Sequence, residues 1–447
     1  MLIDSVYIAG TGAHLPGIEP LPETVTQERR DALQLVSAAV SAELTGPQLA
    51  AKAAELALRR GQTSPEDVGL HLHATMYDQG LSIWSASAYV AREVGLTGTS
   101  SFEVRQCSNG GMGALQLAAC QLTATPGAGS ALITTGDHFA SRELDRWELD
   151  PGLIMGDAGG AMVLDRERGC ARIVSLGWSA DNGLEQVQRG DEPLALDHDT
   201  NRVPISLLLR TTEFLDGRAR AELRQQLDVG QQQAVEAAFD HTGWTLDDID
   251  HVVAPNYGRT LLNKQCLAPL GIPEGKTLWK SFGRFISHVG SGDHLVGMDR
   301  LLSAGIALPG DRVMLHSVGG GFAWTVALVE ILEVPAWSTA APAQPGGRTR
   351  LTQRTTPPAP RRTARASASL RLDGKVAVVT GGTKGLGAAI RDYYLAAGAT
   401  VVAASRSATK DTTSSAERSV TLPVDVTEPA SVADMLAETA ERFGGID

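Results

Sequence analysis

Phe102-Glu103-Val104-Arg105-Gln106-Cys107-Ser108-Asn109-Gly110-Gly111-Met112-Gly113-Ala114-Leu115-Gln116-Leu117-Ala118-Ala119-Cys120 reads as a strand end, a polar turn around a cysteine, and a helix built from small residues. Small side chains let a helix pack closely on its neighbours, so this helix belongs to the interior of an α/β protein. A cysteine at a buried helix N-terminus lies near the positive end of the helix dipole. That position lowers a thiol pKa and makes Cys107 a thiolate nucleophile suited to taking an acyl group from a thioester. Cys120, Cys170 and Cys266 have no such turn and read as inert packing cysteines.

Outward from this turn, the chain repeats itself. Ser64-Pro65-Glu66-Asp67-Val68 before Leu70-His71-Leu72-His73-Ala74-Thr75 is echoed by Thr245-Leu246-Asp247-Asp248-Ile249 before His251-Val252-Val253-Ala254-Pro255-Asn256. Each is a capped acidic turn leading into a buried strand. The preceding helices correspond too, Ala53-Ala54-Glu55 with Ala234-Val235-Glu236, and the strand at Ala131–Thr135 falls on Val313–His316. All three pairs share an offset of 181 residues, which implies two similar α/β halves. The same offset sets Cys107 on His288 and Thr75 on Asn256.

The whole chain has 447 residues, a soft prior of about three domains at roughly 150 residues each. With 43% hydrophobic and 20% charged residues it is globular, and 48 glycines with few aromatics suit an α/β enzyme better than a β-sandwich. A net charge of −12 argues against nucleic-acid partners, since neutralising phosphates needs a basic face. Four cysteines make no disulfide scaffold, there is no Cys/His spacing for a metal, and no uncharged apolar run of 18 residues spans a membrane. The first residues, Met1-Leu2-Ile3-Asp4, read as the start of a strand and not as a leader, so a cytoplasmic location is expected. Residues 335–370 differ from the rest, with recurrent Pro and Arg and no Asp or Glu, and read as a disordered linker.

The cysteine turn within duplicated halves resembles the thiolase-fold condensing enzymes, in particular the β-ketoacyl-acyl-carrier-protein synthase III group and its acyltransferase relatives. The resemblance spans about residues 1–334. It is carried further by Ile8-Ala9-Gly10-Thr11-Gly12 with Leu15-Pro16, by Gly156-Asp157-Ala158-Gly159-Gly160-Ala161-Met162-Val163-Leu164, and by Gly319-Gly320-Gly321-Phe322-Ala323-Trp324. It implies an α/β fold of duplicated αβαβα layers, with halves at 1–170 and 171–334, and a homodimer. The implied donor is a coenzyme A thioester or an acyl-carrier-protein phosphopantetheine, with no further cofactor. It also implies an oxyanion hole from the Cys107 and Gly320 N–H groups.

One departure from the resemblance changes the expected chemistry. Synthase III enzymes carry a Cys–His–Asn set, with the histidine in a Pro-His-Gln-Ala-Asn-like run. Here that run is Ala254-Pro255-Asn256-Tyr257-Gly258, and the histidine falls in the later turn, Phe285-Ile286-Ser287-His288-Val289-Gly290-Ser291-Gly292-Asp293. His288 and Asn256 thus stand exchanged. Both side chains can hydrogen-bond a thioester oxygen, but only the imidazole shuttles a proton near neutral pH. The exchange favours simple acyl transfer, with acyl-Cys107, His288 as base toward the acceptor and Asn256 on the carbonyl oxygen. Natural-product pathways use relatives with such altered sets. Decarboxylative condensation with a malonyl thioester is the alternative, and a non-catalytic subunit binding a carrier protein is a third. Asp293 fits either of two roles, orienting His288 or capping the helix that begins near His294.

Residues 371–447 open a second pattern. Lys375–Gly387 is strand, glycine loop and helix, with Gly381, Gly385 and Gly387 spaced for a pyrophosphate. This resembles the start of a short-chain dehydrogenase/reductase. The resemblance implies that Arg406 would meet an NADP 2′-phosphate and Asp425 the adenine. The later catalytic Ser, Tyr and Lys of that family are not present, so neither reductase activity nor NADP binding is expected of this piece.

Overall fold

The apolar, β-branched runs of the sequence form strands β1 (Tyr7–His14), β2 (Val68–Ala74), β3 (Ser100–Val104), β4 (Ser130–Asp137), β5 (Ala158–Asp165), β6 (Ala171–Ala180), β7 (His251–Val253), β8 (Arg312–Gly319) and β9 (Ala323–Ile331). The computed structural model describes residues 1–125, 127, 129–140, 143–194, 202–339, 372–406 and 418–446. They fall into two units, Met1–Gly347 and Arg348–Asp447. The linker expected at 335–370 lies outside the described residues from 340 onward.

The nine strands form one mixed sheet in the order β3-β2-β4-β5-β1-β6-β9-β8-β7. Its middle is a seam, because β1 and β6 pair only at Tyr7↔Arg172 and Ile8↔Ala171. Outward from the seam the two sides run alike. On one side β5 is antiparallel to β1 and β4, and β4 is parallel to β2. On the other β9 is antiparallel to β6 and β8, and β8 is parallel to β7. β7 begins 181 residues after Leu70 of β2, and β8 begins 181 after Ala131 of β4. The duplicated halves read from the sequence are therefore present as matching topologies.

Helices complete the layers. α1 (Gly46–Gly61) lays Ala50, Ala53, Ala54 and Ala57 on Leu132, Ala161 and Val163. α3 (Arg220–Phe239) lays Ala234, Val235 and Ala238 on Trp324, Val326 and Leu328. Between the halves lie α2 (Gly110–Ala124) and α4 (Asp293–Ser303). Their Met112, Leu115, Leu295 and Met298 share one core with Ile133 and Met162 of one half and Val313 and Leu315 of the other. The result is the thiolase-like α-β-α-β-α stack. Both central helices direct their N-terminal ends to the region described below. Among the described residues no helix is long and apolar enough to cross a membrane.

Buried carboxylates tie the layers together. Asp157, in the glycine run before β5, takes both Arg146 guanidinium nitrogens at 2.9 and 3.0 Å and the N–H groups of Phe139 and Ser41. Removing one partner of such a buried pair costs about 3–5 kcal/mol, because the other charge is left uncompensated. Asp137, at the end of β4, accepts from Thr75 Oγ1, the N–H groups of Met76 and Tyr77, and the N–H and hydroxyl of Ser291. Ser291 lies in the turn ahead of α4, so this carboxylate bolts the first half to the second.

Burial of histidines sets an acid limit on stability. His71 bridges Ser101 Oγ and Thr134 Oγ1, and among the described residues neither ring nitrogen of His316 has a hydrogen-bond partner. Burial pushes both imidazoles down to about 3, with a neighbouring histidine adding to the effect. A group with a depressed folded pKa binds its proton more readily in the unfolded chain. Stability is therefore full above the unfolded value near 6.5 and falls as pH drops below it toward the folded value. Two such imidazoles predict a loss of roughly 3 kcal/mol between pH 7.5 and 5.5. Urea unfolding at the two pH values measures it, and equal stabilities would refute the neutral burial of these rings.

The second unit has parallel strands β10 (Val376–Thr380), β11 (Thr400–Ser405) and β12 (Ser419–Pro423) with helices α5 (Gly385–Ala396) and α6 (Pro429–Phe443). Gly387 is packed on the loop so closely that a Cβ there would meet the Gly381 carbonyl oxygen at 2.3 Å. Gly381 follows β10, Arg406 follows β11 and Asp425 follows β12, all at carboxyl ends of parallel strands. Asp425 accepts from the Thr427 N–H and hydroxyl, which hold its carboxyl below the usual range.

Candidate active site

The turn ahead of α2 is tight. The Asn109 N–H bonds the Gln106 carbonyl at 3.1 Å, the Gly110 N–H bonds that of Cys107 at 2.9 Å, and Cys107 takes a left-handed φ of 47°. Its half-buried thiol meets Gln188 Oε1 at 3.7 Å. The lowered thiol expected at this helix end is corrected by its surroundings. Burial pushes the Cys107 pKa up, Arg105 offsets this in part, and Asp137 adds to it. The thiol has an amide oxygen beside it, which cannot take its proton. Cys170 and Cys266 are buried and pushed up to about 12, also by burial first.

His288 lies one residue from where the sequence placed its partner. Its Nε2 meets Ser108 Oγ at 2.8 Å, and its Nδ1 meets Asp293 Oδ2 at 2.6 Å. His288 and Asp293 are each about 1% exposed, so this chain is sealed from bulk water. Asp293 is the first residue of α4 and also accepts the Val289 N–H at 2.9 Å. Burial alone would raise its carboxyl, but the adjacent His288 imidazole, by charge and hydrogen bond, holds it below the usual range. Asp293 therefore orients His288, the first of the two roles open to it from the sequence. An imidazole with Nδ1–H given to a carboxylate presents Nε2 as a base to the hydroxyl beyond it.

Asn256 also turns toward the carboxylate. Its backbone N–H donates to Asp293 Oδ2 at 2.8 Å and its Nδ2 to Oδ1 at 2.9 Å. Its amide oxygen packs against Gly283, where a Cβ would fall 2.3 Å away. Asn256 is thus brought to Asp293, and no bond joins it to Cys107. The Gly319–Gly321 turn does reach the cysteine turn. A side chain at Gly319 would sit 2.4 Å from the Gln106 carbonyl oxygen and 2.6 Å from the Asn109 nitrogen, and one at Gly320 would strike the Gln188 amide.

Three groups at this centre were not singled out from the sequence. The sequence marks Ser108 only as part of a polar turn and Tyr257 only as a neighbour of Asn256, and it does not mark Gln188. The signal for Ser108 was available in the spacing His288–Asp293, since an imidazole backed by a carboxylate is the usual activator of a hydroxyl.

Comparison with known proteins agrees with this architecture. The family described as 3-oxoacyl-[acyl-carrier-protein] synthase III C terminal matches residues 239–331, and the short chain dehydrogenase family matches 375–447. The β-ketoacyl-[acyl-carrier-protein] synthase III of Rhizobium meliloti is 26% identical over 283 residues, 63% of this chain and 82% of that protein. That of Brucella suis is 27% identical over 288 residues, 64% of this chain and 84% of that protein. Among solved structures, the acyltransferase ChlB3 is 33% identical with a TM-score of 0.68, covering 74% of this chain and 99% of that one. The synthase III of Aquifex aeolicus shares the fold, with a TM-score of 0.57 at 20% identity, covering 73% and 99%. The chain therefore belongs to the synthase III-like family of thiolase-fold condensing and acyl-transferring enzymes, and it carries a short-chain dehydrogenase segment at its C-terminal end.

Proposed function

We propose that this protein moves an acyl group from a coenzyme A or acyl-carrier-protein thioester to a hydroxyl, amine or thiol acceptor, through an ester on Ser108. The buried chain Ser108–His288–Asp293 carries this reading. His288 Nε2 takes the Ser108 proton as Oγ bonds the thioester carbonyl carbon. The C–S bond then breaks, and the imidazolium returns its proton to the departing thiolate. In the second half the acceptor X–H gives its proton to Nε2, X bonds the acyl carbon, and Oγ leaves and is reprotonated. The Gly319–Gly321 turn, pressed on the nucleophile turn, supplies backbone N–H groups to the carbonyl oxygen, with Gly320 and Cys107 as the donors.

For acyl-Cys107, the intermediate expected from the sequence, the hydrogen-bond partner of the thiol among the described residues is the Gln188 amide oxygen, which takes no proton. Condensation is also less well served. It calls for two donors aimed at a malonyl carbonyl, whereas Asn256 donates to Asp293. A homodimer in solution fits the edge strand β3, whose Phe102 is 55% exposed. The proposal is tested by incubating the protein with acyl-coenzyme A donors and mapping any added mass, then adding hydroxylated acceptors or malonyl thioester. A stable adduct on Ser108 that clears with an acceptor is expected. Carbon dioxide release with malonyl thioester would instead establish condensation, and no adduct with any donor would refute both.

A further inference from the structure

We propose that Gln188 determines which acyl group this site accepts, its side-chain Nε2 donating a hydrogen bond to an oxygen carried on the second or third carbon of the acyl chain. The substrate class is therefore a hydroxyacyl or oxoacyl thioester, taken in preference to a plain alkyl one. This rests on the reading of Ser108 as the acyl carrier, with the carbonyl oxygen held by the Cys107 and Gly320 N–H groups. Gln188 reaches both of those donors. Its Oε1 lies 3.7 Å from Cys107 Sγ, and a side chain at Gly320 would overlap Oε1, Cδ and Nε2 of its amide alike. The half-buried carboxamide thus covers the Cβ side of Gly320. The two backbone N–H groups serve the carbonyl oxygen, so the amide beside them meets the next atoms of the acyl chain.

The backbone of Gln188 is clamped. It ends the short 3₁₀ helix Asn182–Val187, whose Leu184 and Val187 are buried in the core of the second half. Its N–H donates to the Glu185 carbonyl at 3.2 Å, and its own carbonyl accepts Arg210 Nη1 at 3.2 Å. Arg210 is in turn held by both oxygens of Glu192, at 2.9 and 2.7 Å. Proton accounting then fixes which way the amide faces. The Cys107 thiol is a donor in this contact and needs an acceptor, which only the amide oxygen can be. The thiol stays protonated, since burial raises its pKa. With Oε1 committed to the thiol, the two Nε2 protons face elsewhere, and among the described residues neither has a partner. A free amide donor at the mouth of a carbonyl site is a selector for an acceptor atom on the substrate. Cys107 acquires a task as well, that of orienting the selector.

A neutral hydrogen bond of this kind is worth about tenfold in rate, and a site built around it rejects the analogue that lacks the partner atom. The test measures single-turnover acylation of Ser108 by butyryl-, 2-hydroxybutyryl- and 3-hydroxybutyryl-coenzyme A, which share a chain length and differ in one oxygen. We expect wild type to acylate from at least one hydroxylated donor roughly tenfold faster than from butyryl-coenzyme A. Gln188→Leu, of similar size but without donors, should bring that ratio to within about twofold of one. Gln188→Glu keeps an acceptor for the thiol and loses the donors, so it should lose the preference too. Equal rates for the three donors in wild type, or an unchanged ratio in Gln188→Leu, would overturn the proposal. So would a Gln188→Leu protein that speeds all three donors alike, since that would make Gln188 a mere obstruction. Its failure is distinct from that of the underlying reading. If no donor acylates Ser108, or the adduct sits on Cys107, the acyl-serine reading falls and the role of Gln188 falls with it. If the adduct is on Ser108 and the three rates agree, only the role of Gln188 is refuted.

Discussion

Ser108→Ala protein mixed with an acyl-coenzyme A should keep its unmodified mass and lose acyl transfer by at least about 10⁴-fold, the scale seen when one member of a cooperating nucleophile–base unit is deleted. The physical reason is that the hydroxyl is the group His288 reaches, at 2.8 Å, and a methyl leaves the imidazole with nothing to deprotonate. Cys107→Ala should behave differently. Its thiol is raised by burial and hydrogen-bonds the Gln188 amide oxygen, so its loss should leave an adduct on Ser108 and turnover within about tenfold of wild type. Intact-mass and peptide-level spectra of the two variants decide the matter. An adduct that survives Ser108→Ala and vanishes with Cys107→Ala would restore the cysteine as acyl carrier.

Asp293→Asn should be nearly as severe, on the order of 10⁴-fold in kcat, with the fold retained. The carboxylate collects the Nδ1–H of His288 together with three other N–H groups, from Asn256 twice and Val289 once. A carboxamide accepts fewer of these and can turn a donor toward Nδ1. The imidazole then holds its proton on Nε2, facing Ser108, where it cannot act as a base. The same logic separates the two nucleophiles through His288→Ala. A serine needs the base in both half-reactions, so acylation and transfer should both disappear. A cysteine with independent thiolate character would still acylate and then stall. Single-turnover measurement of adduct formation in both variants gives the answer, and normal acylation in Asp293→Asn would refute the orienting role of the carboxylate.

Much of the fold was legible because duplication writes the same physics twice. The 181-residue offset needed only a capped acidic turn, a buried strand and an alanine-rich helix to recur, and each recurs where the structure places β7, β8 and α3. The same offset points to His288 and Asn256, which the structure brings together on Asp293. Which of Cys107 and Ser108 would carry the proposed chemistry is not legible in the sequence, because the two are adjacent in one turn. One residue of displacement along a turn rotates a side chain by far more than it moves it, and a left-handed φ at Cys107 decides which of two adjacent groups faces the imidazole. Helix-end reasoning assigned the thiol a low pKa, and burial outweighed it. Asp293 was ambiguous because a carboxylate at the first position of a helix serves that helix whatever else it holds. Tyr257 and Gln188 arrive from segments far away in sequence, so no local pattern marks them.

Asp137 touches no reacting atom, yet it fixes the clearance between the two halves. The nucleophile turn comes from one and the base turn from the other, across a seam where β1 and β6 pair at only two residue positions. The five hydrogen bonds Asp137 accepts from loop 75–77 and Ser291 act as a gauge block between those parts. A misfit of about 1 Å between a nucleophile and its base is enough to cost roughly 10²-fold in rate. The working tolerance of this enzyme is thus set by a carboxylate on the far side of the joint, and drift in its spacing would show as lost turnover before any loss of folded structure.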